Sequence, residues 1–173
     1  AGPDGQVYLA EAGRILRVGV FVNEDPALPL RLIREGLLDV AQIHGDETPE
    51  DALPYQNAGV PFIKGIGVKT RDDLEHAVDF RASAILLDAH APGIYGGTGG
   101  TFDWNAAVDF KSLHPDLPII LAGGIVPENA ALAASDERPA ALDVASGAEI
   151  SPGIKDFGKV SALLAALNRR PSC

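Results

Sequence analysis

The sequence predicts an α/β fold of the (β/α)8-barrel type, with about six β/α units visible in its 173 residues. Three observations carry this. Short apolar runs alternate with helix-like segments, the pattern of parallel strands joined by crossovers. The runs recur about every 22 residues, with a longer gap before the fifth. Nearly every run closes on a polar residue or glycine: Asn23, His44, Lys64, Asp88, Gly123-Gly124 and Ser146-Gly147. Barrels carry their reactive groups at the C-terminal ends of many different strands, which favours them over a doubly wound open sheet. No Gly-x-Gly-x-x-Gly follows a first strand, so the dinucleotide-binding form of that rival loses support.

The elements follow in order. RVGVFV (17–22) is a first strand and 26–37 a first helix. DVAQIH (39–44) is a second strand, followed by a helix over 48–58 whose Thr48-Pro49-Glu50 start puts proline in the first turn. PFIKGIGV (61–68) leads to a helix over 70–80 with Thr70 as its cap. SAILLDA (83–89) ends in a glycine-rich loop, 92–101, before a helix over 104–112. LPIILAGG (117–124) precedes a helix over 127–135 that opens on Pro127-Glu128-Asn129. ALDVASG (141–147) is the last strand. A helix over 156–168 closes the series, with VSALLAAL as its apolar face and Arg169 and Arg170 at its end. The strands are rich in Val, Ile and Leu and mostly free of charge, as strands buried on both faces are.

Composition bounds the function. Hydrophobic residues make up 46% of the chain, enough for one globular domain over 1–173 with a real core. No apolar stretch approaches the length of a membrane span, and AGPDGQVYLAEAG lacks the basic-then-apolar order of a signal peptide. The single cysteine, Cys173, can form no internal disulfide, and the expected location is cytoplasmic. A net charge of −10 argues against nucleic acid and anionic membranes as partners. A phosphate group would have to be held locally, by backbone amides or a helix end.

Several residues are candidates for chemistry. Asp88 ends a buried strand, where a carboxyl can point into a pocket and act as a proton donor. The loop after it holds five glycines between Pro92 and Thr101, too many for a packed element, and could fold over a substrate. Gly123, Gly124, Ser146 and Gly147 lie in the last two strand-to-helix turns, where barrels bind phosphate. Gln42 and His44 alternate on one strand and share its inner face. Lys64 would need a partner such as Asp88 or Asp143 if buried. Asn23 is expected to cap the loop that follows it and to border the site. His76, His90 and His114 have no metal-ligand spacing, and no metal is assigned.

The stretches VGVFVNEDP (18–26), DVAQIHGDE (39–47), ILLDA (85–89), YGGTGGTFDW (95–104), ILAGGIVPENA (120–130) and DVASGAEISPGIKD (143–156) together resemble the phosphoribosylanthranilate isomerases of tryptophan biosynthesis. The resemblance spans residues 17–168. It implies a (β/α)8 barrel and an Amadori rearrangement of a small phosphosugar, N-(5-phosphoribosyl)anthranilate, without metal or cofactor. It places the family's general acid at Asp88, makes Asp143 a binding residue facing the barrel, and makes Gln42 and His44 lining of the substrate pocket. Gly100 stands where the family's loop usually has lysine.

The family's catalytic base, a cysteine in a Lys-Ile-Cys-Gly stretch on its first strand, has no counterpart in these residues. Neither has the second strand, nor the Arg-bearing segment after it that meets the anthranilate carboxylate. YLAEAGRIL (8–16) resembles the helix before the family's third strand, so the residues ahead of it are too few for two further units. Six strands do not readily close the same barrel, and 17–22 and 141–146 would be apolar edges. The expectations are therefore a truncated barrel of low activity, a chain that forms a homo-oligomer through exposed strand edges, or a non-catalytic phosphosugar-binding remnant.

Overall fold

The computed structural model describes residues 15–68, 71–89, 110–136 and 139–168. Six parallel strands form one sheet: β1 (Val18–Phe21), β2 (Val40–Ile43), β3 (Phe62–Val68), β4 (Ala84–Ala89), β5 (Ile119–Leu121) and β6 (Ala141–Leu142). Their spatial order is their chain order. A doubly wound sheet would reverse direction at a switch point; this one runs onward without reversal, as a barrel wall does. It is a half-barrel, and each of the six predicted runs contains a strand.

Side chains alternate between the two faces of this sheet. On the outer face Ala41, Ile43, Phe62, Ile85, Leu87, Ile119 and Leu121 build the main core with the helices. On the concave face Val40, Ile63, Ala84, Leu86 and Ala122 form a smaller cluster, with Leu16 and Ile120 packed against it. The registers Ala41↔Phe62 and Ile85↔Ile119 keep the large outer residues side by side.

The crossovers depart from the sequence expectation in instructive ways. Helix α1 (Ala27–Arg34) stops three residues early, where Gly36 takes a left-handed φ of +71°. A turn held by Thr48 and Asp51 precedes α2 (Leu53–Ala58), so Pro49 lies ahead of the helix proper. Tyr55 of α2 is buried against Phe62, with ring centroids 5.3 Å apart.

Instead of a helix over 70–80 there are two 3-10 turns, Arg71–Leu74 and Ala77–Phe80. Leu74, Ala77 and Phe80 are the buried residues, and their spacing of three is the 3-10 period rather than the α period. Thr70, the glycine-rich loop 92–101, His90 and 104–109 lie outside the described residues; 110–113 are helical, within the expected 104–112 helix.

Helix α3 (Ala130–Asp136) begins after the turn at 127–129. Helix α4 (Phe157–Asn168) buries Leu163 and packs Val160, Ala166 and Leu167 on the core, one stripe of the expected apolar face. An antiparallel hairpin of β7 (Glu149–Ser151) and β8 (Ile154–Lys155) is not among the elements expected from the sequence. Its signal was Ser151-Pro152-Gly153 between two isoleucines, with Gly153 at φ +80°.

Candidate active site

The concave face opens at the C-terminal ends of the strands into a cavity of about 300 Å³. Gln42, His44, Asp88, Gly123, Gly124, Asp143, Ser146 and Gly147 all line it. These are the eight site residues expected from the sequence, brought together from the ends of β2, β4, β5 and β6 and the turns that follow. Apolar lining that sequence reasoning did not single out comes from Val20, Val22, Ala122, Ile125 and Val144. No Lys or Arg is among the described residues of the lining.

Asp88 is the last inward-facing residue of β4 and is only 6% exposed. It follows Ala84 and Leu86 on the concave face, so the alternation that buries those two also points its carboxyl into the cavity. His44 continues β2, its backbone N–H donating to the Phe21 carbonyl at 2.8 Å. Its Nε2 lies 3.7 Å from Asp88 Oδ2. On its other side, Nδ1 is 2.9 Å from Gln42 Nε2. The imidazole rests over Gly65 of β3, where a Cβ would come within 2.6 Å of its Cγ. Burial holds His44 below its ordinary pKa; Lys64 acts in the same direction, while Asp88, Asp143 and Glu47 oppose. Asp143 is pushed up by burial, with His44 and Lys155 pulling it partly back. The neutral imidazole and the reluctant second carboxylate leave the cavity less charged than its composition suggests.

The glycine turns have a built geometry. Gly123 and Gly124 take φ of +83° and +65°, a pair that other residues rarely adopt. Asn129 staples this turn: its Oδ1 accepts the Val126 N–H at 2.8 Å and its Nδ2 donates to the Gly124 carbonyl at 2.9 Å. Gly147 presses so closely on the Ile125 carbonyl that a Cβ would collide with it. That contact packs the turn after β6 against the turn after β5. Lys155, from the hairpin, fixes the far side by donating to the Ala145 carbonyl at 3.0 Å and pairing with Glu149 at 2.9 Å. Pro127-Glu128-Asn129 reads as a helix start; its larger role here is Asn129 bracing the turn.

Two expectations need correction. Lys64 does not reach Asp88 or Asp143. Its parity on β3 sends it to the outer face, where Nζ donates to Glu47 Oε2 at 2.7 Å and to the Gly45 carbonyl at 2.8 Å. The pair is buried, with side chains 5% and 7% exposed. Burial raises Glu47, but Lys64 and the N–H groups of Asn23 and Gly45 outweigh it and hold the carboxyl below its ordinary range. Asn23 is outside the cavity lining. It ties its own turn to the loop after β2, its side chain accepting the Asp46 N–H at 2.7 Å and its N–H donating to Glu47 at 2.8 Å. Among the described residues no group of three His, Cys, Asp or Glu could hold a metal ion.

Residues 5–166 match the family model described as N-(5'-phosphoribosyl)anthranilate (PRA) isomerase. The chain is 44% identical over 151 residues to the N-(5'-phosphoribosyl)anthranilate isomerase of Thiobacillus denitrificans, covering 85% of this chain and 69% of that relative. The phosphoribosylanthranilate isomerase structure from Thermus thermophilus superposes with a TM-score of 0.75 at 40% identity, covering 89% of this chain and 72% of that one. Another structure of this enzyme, in complex with reduced 1-(o-carboxyphenylamino)-1-deoxyribulose 5-phosphate, gives 0.73 at 32% identity, over 89% of this chain and 72% of that one.

Proposed function

The chain belongs to the phosphoribosylanthranilate isomerase family, and from that premise we propose how its cavity serves the reaction. It is an isomerase of tryptophan biosynthesis, converting N-(5-phosphoribosyl)anthranilate into 1-(2-carboxyphenylamino)-1-deoxyribulose 5-phosphate. Asp88 is the general acid. It protonates the furanose ring oxygen, the ring C–O bond breaks, and a Schiff base forms. Loss of the C2 proton to a base then gives an enolamine, and return of a proton to C1 as the enol becomes the C2 carbonyl gives the aminoketose.

The phosphate sits against backbone N–H groups of the turns at Gly123-Gly124 and Ser146-Gly147. Amides suit this chain: they hold a dianion by hydrogen bonds where no Lys or Arg is among the described lining residues. Gln42, His44 and Asp143 border the sugar. A cytoplasmic location accords with this biosynthetic role. No helix among the described residues is long and apolar enough to cross a membrane.

The observation that carries the proposal is that Asp88 and both glycine turns open onto one cavity. Calorimetric titration with the reduced product analogue tests it. Gly147→Ala, checked for folding by its melting curve, is expected to weaken binding about tenfold or more, the loss of hydrogen bonds to a charged group. Asp88→Asn is expected to keep binding within a few-fold. Equal affinity of the Gly147 variant would remove the phosphate from that turn.

Turnover is a separate matter, because the only cysteine of these 173 residues is Cys173. Alone, this polypeptide is expected to turn over at least about 100-fold more slowly than an enzyme with the family's base, the usual worth of a positioned proton acceptor.

A further inference from the structure

Gln42 and His44 are joined side by side on the concave face, and the chemistry of that contact fixes a proton. An amide nitrogen only donates. With Gln42 Nε2 at 2.9 Å from His44 Nδ1, the ring nitrogen must accept. A neutral imidazole that accepts at Nδ1 carries its hydrogen on Nε2. Nε2 is the atom that faces Asp88 Oδ2, at 3.7 Å.

We propose that Gln42 is a positioning residue that selects the Nε2–H form of His44, so that the positive end of an N–H bond faces the Asp88 carboxyl across the cavity. This rests on Asp88 being the acid of the reaction proposed above. When Asp88 gives its proton to the ring oxygen it becomes a carboxylate, and the N–H dipole stabilises that product without transferring a proton. The 3.7 Å separation is longer than a hydrogen bond, so the effect in the empty cavity is that of an oriented dipole.

Three features hold the arrangement. Gly65 leaves room for the ring, since a Cβ there would strike it. Gln42 is itself only 7% exposed, which confines its amide. The charged and titratable groups acting on His44 are Asp88, Asp143, Glu47 and Lys64; burial, with Lys64 acting alongside it, outweighs the three carboxylates and favours the neutral ring.

Long-range proton–nitrogen NMR on the 15N-labelled chain tests this without turnover. The expected spectrum has His44 as a single neutral form protonated at Nε2. Gln42→Glu, which replaces the donor with an acceptor, is expected to move the ring to Nδ1–H or to the doubly protonated form. Gln42→Leu, which removes the donor and keeps the shape, is expected to give a mixture. His44→Phe is expected to raise the Asp88 titration midpoint by about half a pH unit, read from its carboxyl 13C shift.

A wild-type ring protonated at Nδ1 would overturn the proposal. So would Gln42 variants that fold, by their melting curves, and leave the tautomer unchanged. An Asp88 midpoint indifferent to His44, with the tautomer as expected, would refute the influence on the acid. None of these outcomes depends on analogue binding, so the isomerase assignment stands or falls separately.

Discussion

Lys64 and Glu47 show how much rests on a single buried pair. Their nitrogen and oxygen are 2.7 Å apart on the outer face, and the Phe80 ring lies 5.3 Å from the ammonium. Removing one partner strands the other's charge in a place where water cannot reach it. Lys64→Met is expected to cost about 3 kcal/mol in urea unfolding, and the double variant with Glu47→Leu much less than the sum of the singles. Additive losses would mean the two ions are solvated rather than paired. Lys64 also illustrates where a sequence stops being legible. Its burial follows from the apolar run around it, but its partner depends on strand parity and on a loop 17 residues away. Asp88, by contrast, was legible because its position alone, at the end of an apolar run, says which way it points.

At the scale of elements, the strands were readable and the crossovers less so. Four of the six runs, those of β2 to β5, are largely buried on both faces, and burial of that kind leaves a continuous signature; β1 and β6 carry the same aliphatic pattern but stay partly exposed. The 71–80 segment has apolar residues in the right number for an α-helix but at the wrong spacing. The hairpin at 149–155 is too short and too exposed to leave a hydrophobic pattern, so only its turn residues mark it. The glycine turns of the site were recognisable, while Asn129's bracing was not, since it depends on the conformation of the turn three to five residues before it. Strand β1 is the end of the sheet among the described residues, and Val18 and Val20 on it are 42% and 60% exposed. We expect such an edge to drive concentration-dependent self-association of this polypeptide. Val18→Lys, away from the cavity, should shift sedimentation profiles back toward monomer; a wild-type chain monomeric at all concentrations would speak against the edge.

For the whole molecule, acid tolerance is set by groups shifted in opposite directions. His44 has its folded pKa lowered, so its contribution to stability is present above its ordinary value of 6.5 and is lost as the pH falls through the folded value. Glu47 is also lowered; its contribution is present above 4.5 and disappears at lower pH. Asp143 is raised, so its contribution is present below 3.8 and lost as the pH climbs through the folded value. In the interval from the ordinary histidine value of 6.5 down to the lower folded value, the His44 effect acts first. His44→Gln is therefore expected to flatten the fall of the urea midpoint across that interval, and an unchanged slope would exclude His44 as its source. The sequential order of the strands reaches further than the cavity's shape. Each neighbour lies one crossover away along the chain, so pairing advances like a zip rather than by distant encounters. Partner registration is most extensive between β3 and β4, six residues deep, and shrinks to two at β6. A growing chain would thus secure the Asp88 strand in the middle first and leave the turn after β6 until last, so the proposed grip on the sugar's phosphate end would be the final thing to mature and the earliest to slacken.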